Sequence, residues 1–284
     1  MIALAAALLA SLPFAPPIDH PLLYRQTEDR VARDGSAAHF IMTEEVRYTR
    51  DGAGYILTIR ALSADAQAPE MAAKAFRAGM KPFIGIPVAV RLSAAGEPGA
   101  VIDADATWAH VIGSLEAVAA SAGDRKADFD PMLAGFRTMP PAARDAMLKA
   151  PAIALLGLSL PPLGQGETSA LDESMETPLG MALASHGTVH RDADRNGAIL
   201  YTADLAGDTN AAGRIADQMR KAGGPAAARA DAIAALRLRE HREISLSASS
   251  GLLLSSISRI VAADPAAPGG ERALTQRGLT LVSP

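Results

Sequence analysis

Two stretches of this chain share one plan, and they limit the fold more than any other feature. Residues 46–62 read VRYTRDGAGYILTIRAL and residues 189–205 read VHRDADRNGAILYTADL. In both, alternating apolar and polar residues run into a polar turn and alternate again beyond it. A period of two marks a strand with one buried face, and two such runs about Asp51-Gly52 or Asn196-Gly197 make a β-hairpin. Glycine accepts positive φ at no steric cost, and Asp or Asn bonds its own backbone there.

The surroundings of the two hairpins extend the parallel. Before the first, residues 21–33 and 39–48 alternate, with a slip at Glu44-Glu45, so the opening reads as a three-stranded meander. Pro69 opens a helix, with Met71, Ala75, Phe76, Met80 and Phe83 as its apolar stripe. Strands follow over 86–92 and 100–102, then a helix over 106–122 with Trp108, Val111, Ile112, Leu115 and Val118 inward, closed by Gly123. Residues 129–151 hold two helical pieces divided at Pro140-Pro141. Residues 152–160, AIALLGLSL, fit a buried helix or a strand equally well. In the second half, strands are predicted over 167–177, 181–190 and 198–205. A helix capped by Asp208 or Thr209 follows, facing inward through Ala212, Ile215, Met219 and Ala222 and ending at Gly223-Gly224. Another helix runs from Pro225 to about Leu238, and strands close the chain over 242–250, 253–261 and 273–282.

Each half is therefore hairpin, helix, hairpin, at a period of roughly 150 residues, far longer than a solenoid unit. LSAAG at 92–96 is echoed by LSASSG at 246–251. The predicted fold class is α+β: antiparallel curved sheet, continuous or in two abutting parts, built from two hairpin-helix-hairpin repeats with helices packed on one side. The expected division is a signal peptide over 1–15, a first α+β half over 16–128, a helical connector over 129–166 and a second α+β half over 167–284. The halves cover each other's apolar faces, so they form one compact domain.

The first residues, MIALAAALLASLPF, are uninterruptedly apolar. They are too short for a bilayer-spanning helix, which needs about 20 residues, and suit the apolar core of a secretory signal. Cleavage is expected near Ala10 to Ala15, with a mature chain in the periplasm or secreted and not membrane-spanning. A buried N-terminal helix is the alternative.

Composition removes several function classes. There is no cysteine, hence no disulfide framework, thiolate zinc site, thiol nucleophile or N-terminal lipid-bearing Cys. Net charge is −4 and no dense Lys/Arg cluster occurs, so a nucleic-acid partner is not expected. Aromatic residues are only 4%, which leaves a core of Ala, Leu, Ile, Val and Met. No G-x-S-x-G, Ser-Lys pair, P-loop or dinucleotide fingerprint is present, so no catalytic signature or cofactor is read from the chain.

Two weak constellations carry ligand chemistry. Asp192, Asp194 and Asn196 alternate before Gly197, the opening half of a calcium loop, but the twelfth position is Ala203 where the loop needs an acid. The simpler assignment is a hairpin turn on Asn196-Gly197. His186 and His190, four apart, share one face of a strand or a helix, and with Asp192 or Asp194 they are candidate ligands for a transition metal. His20, His39, His110 and His241 stand alone in the sequence. Of the adjacent acids Glu44 and Glu45, strand geometry sends one to each face.

The two-fold order after an apolar leader resembles that of uncharacterised exported bacterial proteins built as two α+β repeats. Its half-sheet-plus-helices plan is also similar in architecture to the half-barrel of periplasmic lipoprotein carriers, which implies an apolar cleft between sheet and helices. The function expected is non-catalytic, in the cell envelope, with a lipid or other apolar ligand in that cleft. Alternatives are a hydrolase or metal-dependent enzyme about His186, His190 and Asp192, and an interaction module acting through a sheet edge.

Overall fold

The computed structural model describes residues 14–31, 36–121, 129–156, 160–176, 182–263 and 270–283. Residues 1–13 of the expected leader and the helix stop at Gly123 lie outside them. Among the described residues, eleven strands form one antiparallel sheet. The first half supplies β1 (Leu22–Val31), β2 (Ala37–Asp51), β3 (Gly54–Gln67), β4 (Pro87–Leu92) and β5 (Pro98–Ile102). The second supplies β6 (Thr168–Glu176), β7 (Ala182–Arg191), β8 (Ala198–Gly207), β9 (Leu238–Ser247), β10 (Leu253–Ala263) and β11 (Glu271–Ser283). Neighbours along the sheet run β5-β4-β3-β2-β1-β11-β10-β9-β8-β7-β6, so the two halves meet where the first strand pairs with the last.

Helices fall where the repeats require. In the first half, α1 (Glu70–Met80) links β3 to β4; in the second, α5 (Thr209–Ala222), α6 (Gly224–Ala227) and α7 (Ala230–Ala234) link β8 to β9. Hairpin, helix and hairpin therefore occur twice in the same order. Between the halves run α2 (Ala104–Ser121), α3 (Asp130–Arg137) and α4 (Pro141–Leu156). The helices pack to one side of the sheet.

The two hairpins that organise the sequence are β2–β3 and β7–β8. Val46 pairs with Ile59 and Val189 with Ala203; both valines are fully buried, and the second hairpin is one residue longer. Asp51 pairs with Gly54 across the first turn, where Gly52 has φ of 59°. The second turn closes at Asn196 and Gly197, with φ of 50° and 76°, and an Arg195–Ala198 bridge. Two successive positive φ values are what a right-twisted hairpin asks of a tight turn, and Asn-Gly meets that need.

The strand alternation buries one continuous face. Leu22, Tyr24, Val46, Tyr48, Leu57, Ile59 and Val90 form its first half, with Trp108, Leu148, Ala152 and Leu155 packed on them from α2 and α4. Val189, Ile199, Tyr201, Leu205, Ile244 and Leu246 continue it, covered by Ala211 and Ala212 of α5. Asp208 caps α5 by accepting from the Asn210 N–H at 2.7 Å, and Gly223 ends it at φ of 72°.

Four local expectations are corrected. The α1 stripe holds at Phe76, Met80 and Phe83, with Phe76 packed on Phe40 at 4.7 Å between ring centroids, but not at its start: Met71 is 73% exposed and Ala75 is exposed, while Ala73 is buried. The helix leans on the sheet along the row Ala73, Phe76 and Met80, so apolar residues off that row stay in solvent. Helix α4 continues through Pro151 to Leu156, which assigns the ambiguous 152–156 to helix. The long helix expected after Pro225 is two short turns, α6 and α7. Strand β9 then starts at Leu238, four residues before the expected 242.

Phe14 and Ala15, inside the expected leader, belong to the packing of the domain. The Phe14 ring meets Tyr48 and Tyr55 edge-on at 5.9 and 5.4 Å, and the Ala15 N–H donates to the Ser250 carbonyl at 2.9 Å.

The seam between the halves offers a test. Tyr24 of β1 reaches past β11 to donate its hydroxyl to the Leu253 carbonyl at 2.8 Å, and burial pushes its phenol well above the usual range. Tyr24→Phe keeps the ring and strands a buried carbonyl, so urea unfolding should show a loss of about 1–3 kcal/mol. An unchanged midpoint would mean that the hydroxyl contributes nothing to closing the seam.

Candidate functional site

A cavity of about 470 Å³ lies between the first half of the sheet and the connector helices. That volume is within the roughly 300–1,000 Å³ typical of small-molecule sites. Its floor is sheet: Gln26 of β1, Met42 and Glu44 of β2, Ile59 of β3, Val88 of β4 and Leu279 of β11. Its roof is Trp108 and Val111 of α2 with Met147, Leu148, Pro151 and Ala154 of α4. Met80 and Phe83 close one end. Three flexible, polarizable methionines give this wall the capacity to adapt to irregular apolar shapes. The apolar cleft implied by the architecture is present as a cavity.

Three polar groups interrupt that wall: the Gln26 amide, the Glu44 carboxyl and the Trp108 indole N–H. Glu44 is only 5% exposed, and its neighbour Glu45 points the other way, where it accepts from Arg60 at 3.0 Å. Strand alternation thus does to the acid pair what the sequence predicts. The slip at Glu44-Glu45 also coincides with a register shift between β2 and β3 at Thr43/Glu44. Burial raises the Glu44 carboxyl above its ordinary range, because a charge there would have to leave water without a compensating partner. Trp108 is 4% exposed, stacks on Phe136 with centroids 5.7 Å apart, and has a buried Nε1 that no described residue accepts from.

A second cavity of about 320 Å³ adjoins the first, sharing Gln26, Ala154 and Leu279 with it. Its character is opposite. Arg242 of β9 donates to Glu173 and to Glu240, each at 2.9 Å, and Ser258 of β10 donates to Glu240 at 2.6 Å. Next along the sheet, Arg277 of β11 donates to Glu28 of β1 at 3.2 Å. These side chains share the inner face of the sheet, from β6 at its edge across to β9, β10, β11 and β1, so a charged belt crosses an otherwise apolar face. Burial works against charge on Arg242, but Glu240 and Glu173 outweigh it and hold the guanidinium protonated. For Glu28, burial is likewise outweighed by Arg30 and Arg277, and the carboxyl sits below its usual range.

The residues singled out as metal candidates take other partners. His186 bonds Asp172 at 2.7 Å, and His190 bonds Thr168 at 2.9 Å while lying 3.7 Å from Asp192. Asp192 accepts from Thr202 at 2.7 Å, Asp194 pairs with Arg191 at 3.2 Å, and Asn196 occupies the positive-φ turn position. Among the described residues no three His, Cys, Asp or Glu side chains converge as metal ligands do.

The histidines that stood alone in the sequence include two with carboxylate partners. Asp29–His39, Asp172–His186 and Asp204–His241 are register partners on adjacent strands, at 2.6, 2.7 and 2.8 Å. Donating a hydrogen bond to the Asp204 carboxylate raises His241 above its ordinary value. Such cross-strand pairs stabilise a sheet and become visible once register is known. The sequence signal that would have located the cavity was Glu44 itself, an acid at an apolar position of an alternating strand.

Two outcomes follow from the buried charges. The raised Glu44 carboxyl contributes stability that is full below the ordinary carboxyl range and is lost as pH rises through its folded value. Wild type should therefore lose stability relative to Glu44→Gln as pH rises out of the ordinary carboxyl range, and the slope disappears in the variant; urea midpoints that stay parallel above that range would refute it. Arg242→Ala leaves Glu173 and Glu240 buried without their cation, and should cost about 3–5 kcal/mol in the same assay.

No family model and no curated protein matches this sequence. Among solved structures, the crystal structure of Rv2717c from M. tuberculosis aligns at 9% identity over 100% of both chains, with a TM-score of 0.27. A porin-like protein from Bacteroides uniformis ATCC 8492 aligns at 9% identity over 95% of this chain and 99% of its own, with a TM-score of 0.17. Likenesses this weak transfer neither a family nor a function to the chain.

Proposed function

We propose that this chain is a non-catalytic, exported cell-envelope protein that holds an apolar ligand, a lipid in the first instance, between sheet and helices. The observation that carries the reading is the cavity of about 470 Å³ under α2 and α4, walled by Met42, Met80, Met147, Ile59, Val88 and Leu279. A cavity of that size and lining gains from filling, because apolar surface in contact with water costs about 25 cal/mol per Å². Export is supported by the apolar leader, and the packing of Phe14 against Tyr48 and Tyr55 favours cleavage ahead of Phe14.

Native mass spectrometry of protein purified from its own cell envelope tests both halves of the proposal in one spectrum. The polypeptide mass should correspond to a chain beginning at or before Phe14 and shortened by its leader, with a non-covalent adduct in the mass range of a lipid. An unprocessed chain recovered from the cytoplasm without an adduct would sink the proposal. The only tryptophan, Trp108, lines the cavity, so its emission should shift when a vesicle lipid is titrated into delipidated protein.

A further inference from the structure

The cavity contains two hydrogen-bonding side chains that the protein leaves unsatisfied. Glu44 and Trp108 are each more than nine-tenths buried, one on the sheet floor and the other on the helical roof. The Trp108 Nε1–H has no acceptor among the described residues. Glu44 has no side-chain hydrogen bond there either. Its register partners are Tyr24, whose hydroxyl is committed to the Leu253 carbonyl, and Ala61, which has no polar side chain. Buried polar groups are almost always paired, and an orphan in a cavity wall points to a partner that arrives with the contents.

The chemistry of the two groups narrows what those contents are. An indole N–H only donates, so it needs an acceptor atom. A carboxyl buried in an apolar wall favours its neutral form and can then donate to an oxygen as well. A pure hydrocarbon satisfies neither group. An alkylammonium would answer Glu44 but set a positive charge against the Trp108 N–H. A carboxylate ligand would have to lie in this wall as an anion with no cation to pair it. Among the described residues of the wall Glu44 is the only ionisable side chain, so no lysine, arginine or histidine there offsets that cost.

We propose that the cavity selects a neutral acyl compound, a fatty ester or its equivalent, whose polar end accepts from the Trp108 indole N–H and is bonded by the Glu44 carboxyl. The assignment rests on the ligand-binding role proposed above and names the class of ligand.

Three probes of equal heavy-atom count separate the possibilities: methyl nonanoate, dodecane and undecylammonium. Binding to the full folded chain is followed by Trp108 emission, and by calorimetry where Trp108 is replaced. The ester-to-alkane affinity ratio should fall about tenfold in Glu44→Leu and in Trp108→Phe, the effect of one lost buried hydrogen bond. Glu44→Gln, which keeps a neutral donor and acceptor, should hold the ratio near wild type. An unchanged ratio in both the Leu and Phe variants, with probes still binding, overturns the ester assignment and leaves the ligand-binding role standing. Tightest binding by undecylammonium overturns it in favour of a carboxylate site for cations. Failure of every probe to bind wild type removes the binding role and this assignment together.

Discussion

The architecture depends on one pairing, that of β1 with β11. Seven consecutive partners, from Tyr24 with Leu281 to Arg30 with Thr275, join the start of the described chain to its end. Without that ladder the two repeats would be separate small sheets, each with an exposed inner edge. With it, the inner faces become one surface, and both cavities share that surface at Gln26 and Leu279, one from each side of the seam. The cavity is therefore not a property of either repeat. Its floor includes the last strand, and its roof is the connector between the halves.

The repeats share a plan but have diverged in chemistry. On the inner face of the first half Glu44 lies buried in an apolar wall, and Glu28, nearer the seam, is paired with Arg277. In the second half the inner face carries Arg242, Glu240 and Glu173, locked to one another. A buried ionic cluster is weak evidence for stability, since a hydrophobic replacement of similar volume often does as well. It does fix geometry. Arg242 engages acids on its own strand and on β6, the strand at the far edge of the sheet, and Ser258 of β10 joins through Glu240. The second half is cross-braced where the first is hollow.

This contrast explains what the sequence disclosed and what it hid. Strands whose inner positions are apolar, such as β3 and β8, were legible from their alternation, and so was the repeated order of elements. The start of β9 was not. Leu238, Glu240 and Arg242 occupy inner positions, and charges there break the pattern that marks a strand. Only their partners Glu173 and Ser258, distant in sequence, make such residues fit. The start of the α1 stripe was misplaced for a different reason: Met71 and Ala73 are both apolar, and the side a rim helix presents is decided by the sheet it meets. The cavity was foreseen as a kind of site, while its residues were not, because Trp108, Met147 and Gln26 converge only after the seam has closed.

Pro151 adds a mechanical consequence. It sits inside α4, directly over the chamber. Having no N–H, it cannot complete the helical bond to the Met147 carbonyl four residues earlier, so one rung of the ladder is absent at that turn. Helices bend where the ladder is interrupted. The roof is accordingly two stiff levers about a compliant joint. The part before the joint is pinned to the sheet by Leu148 and the part after it by Ala152 and Leu155. A guest of variable girth would be accommodated by changing the angle between the levers, with the packing at both ends left intact.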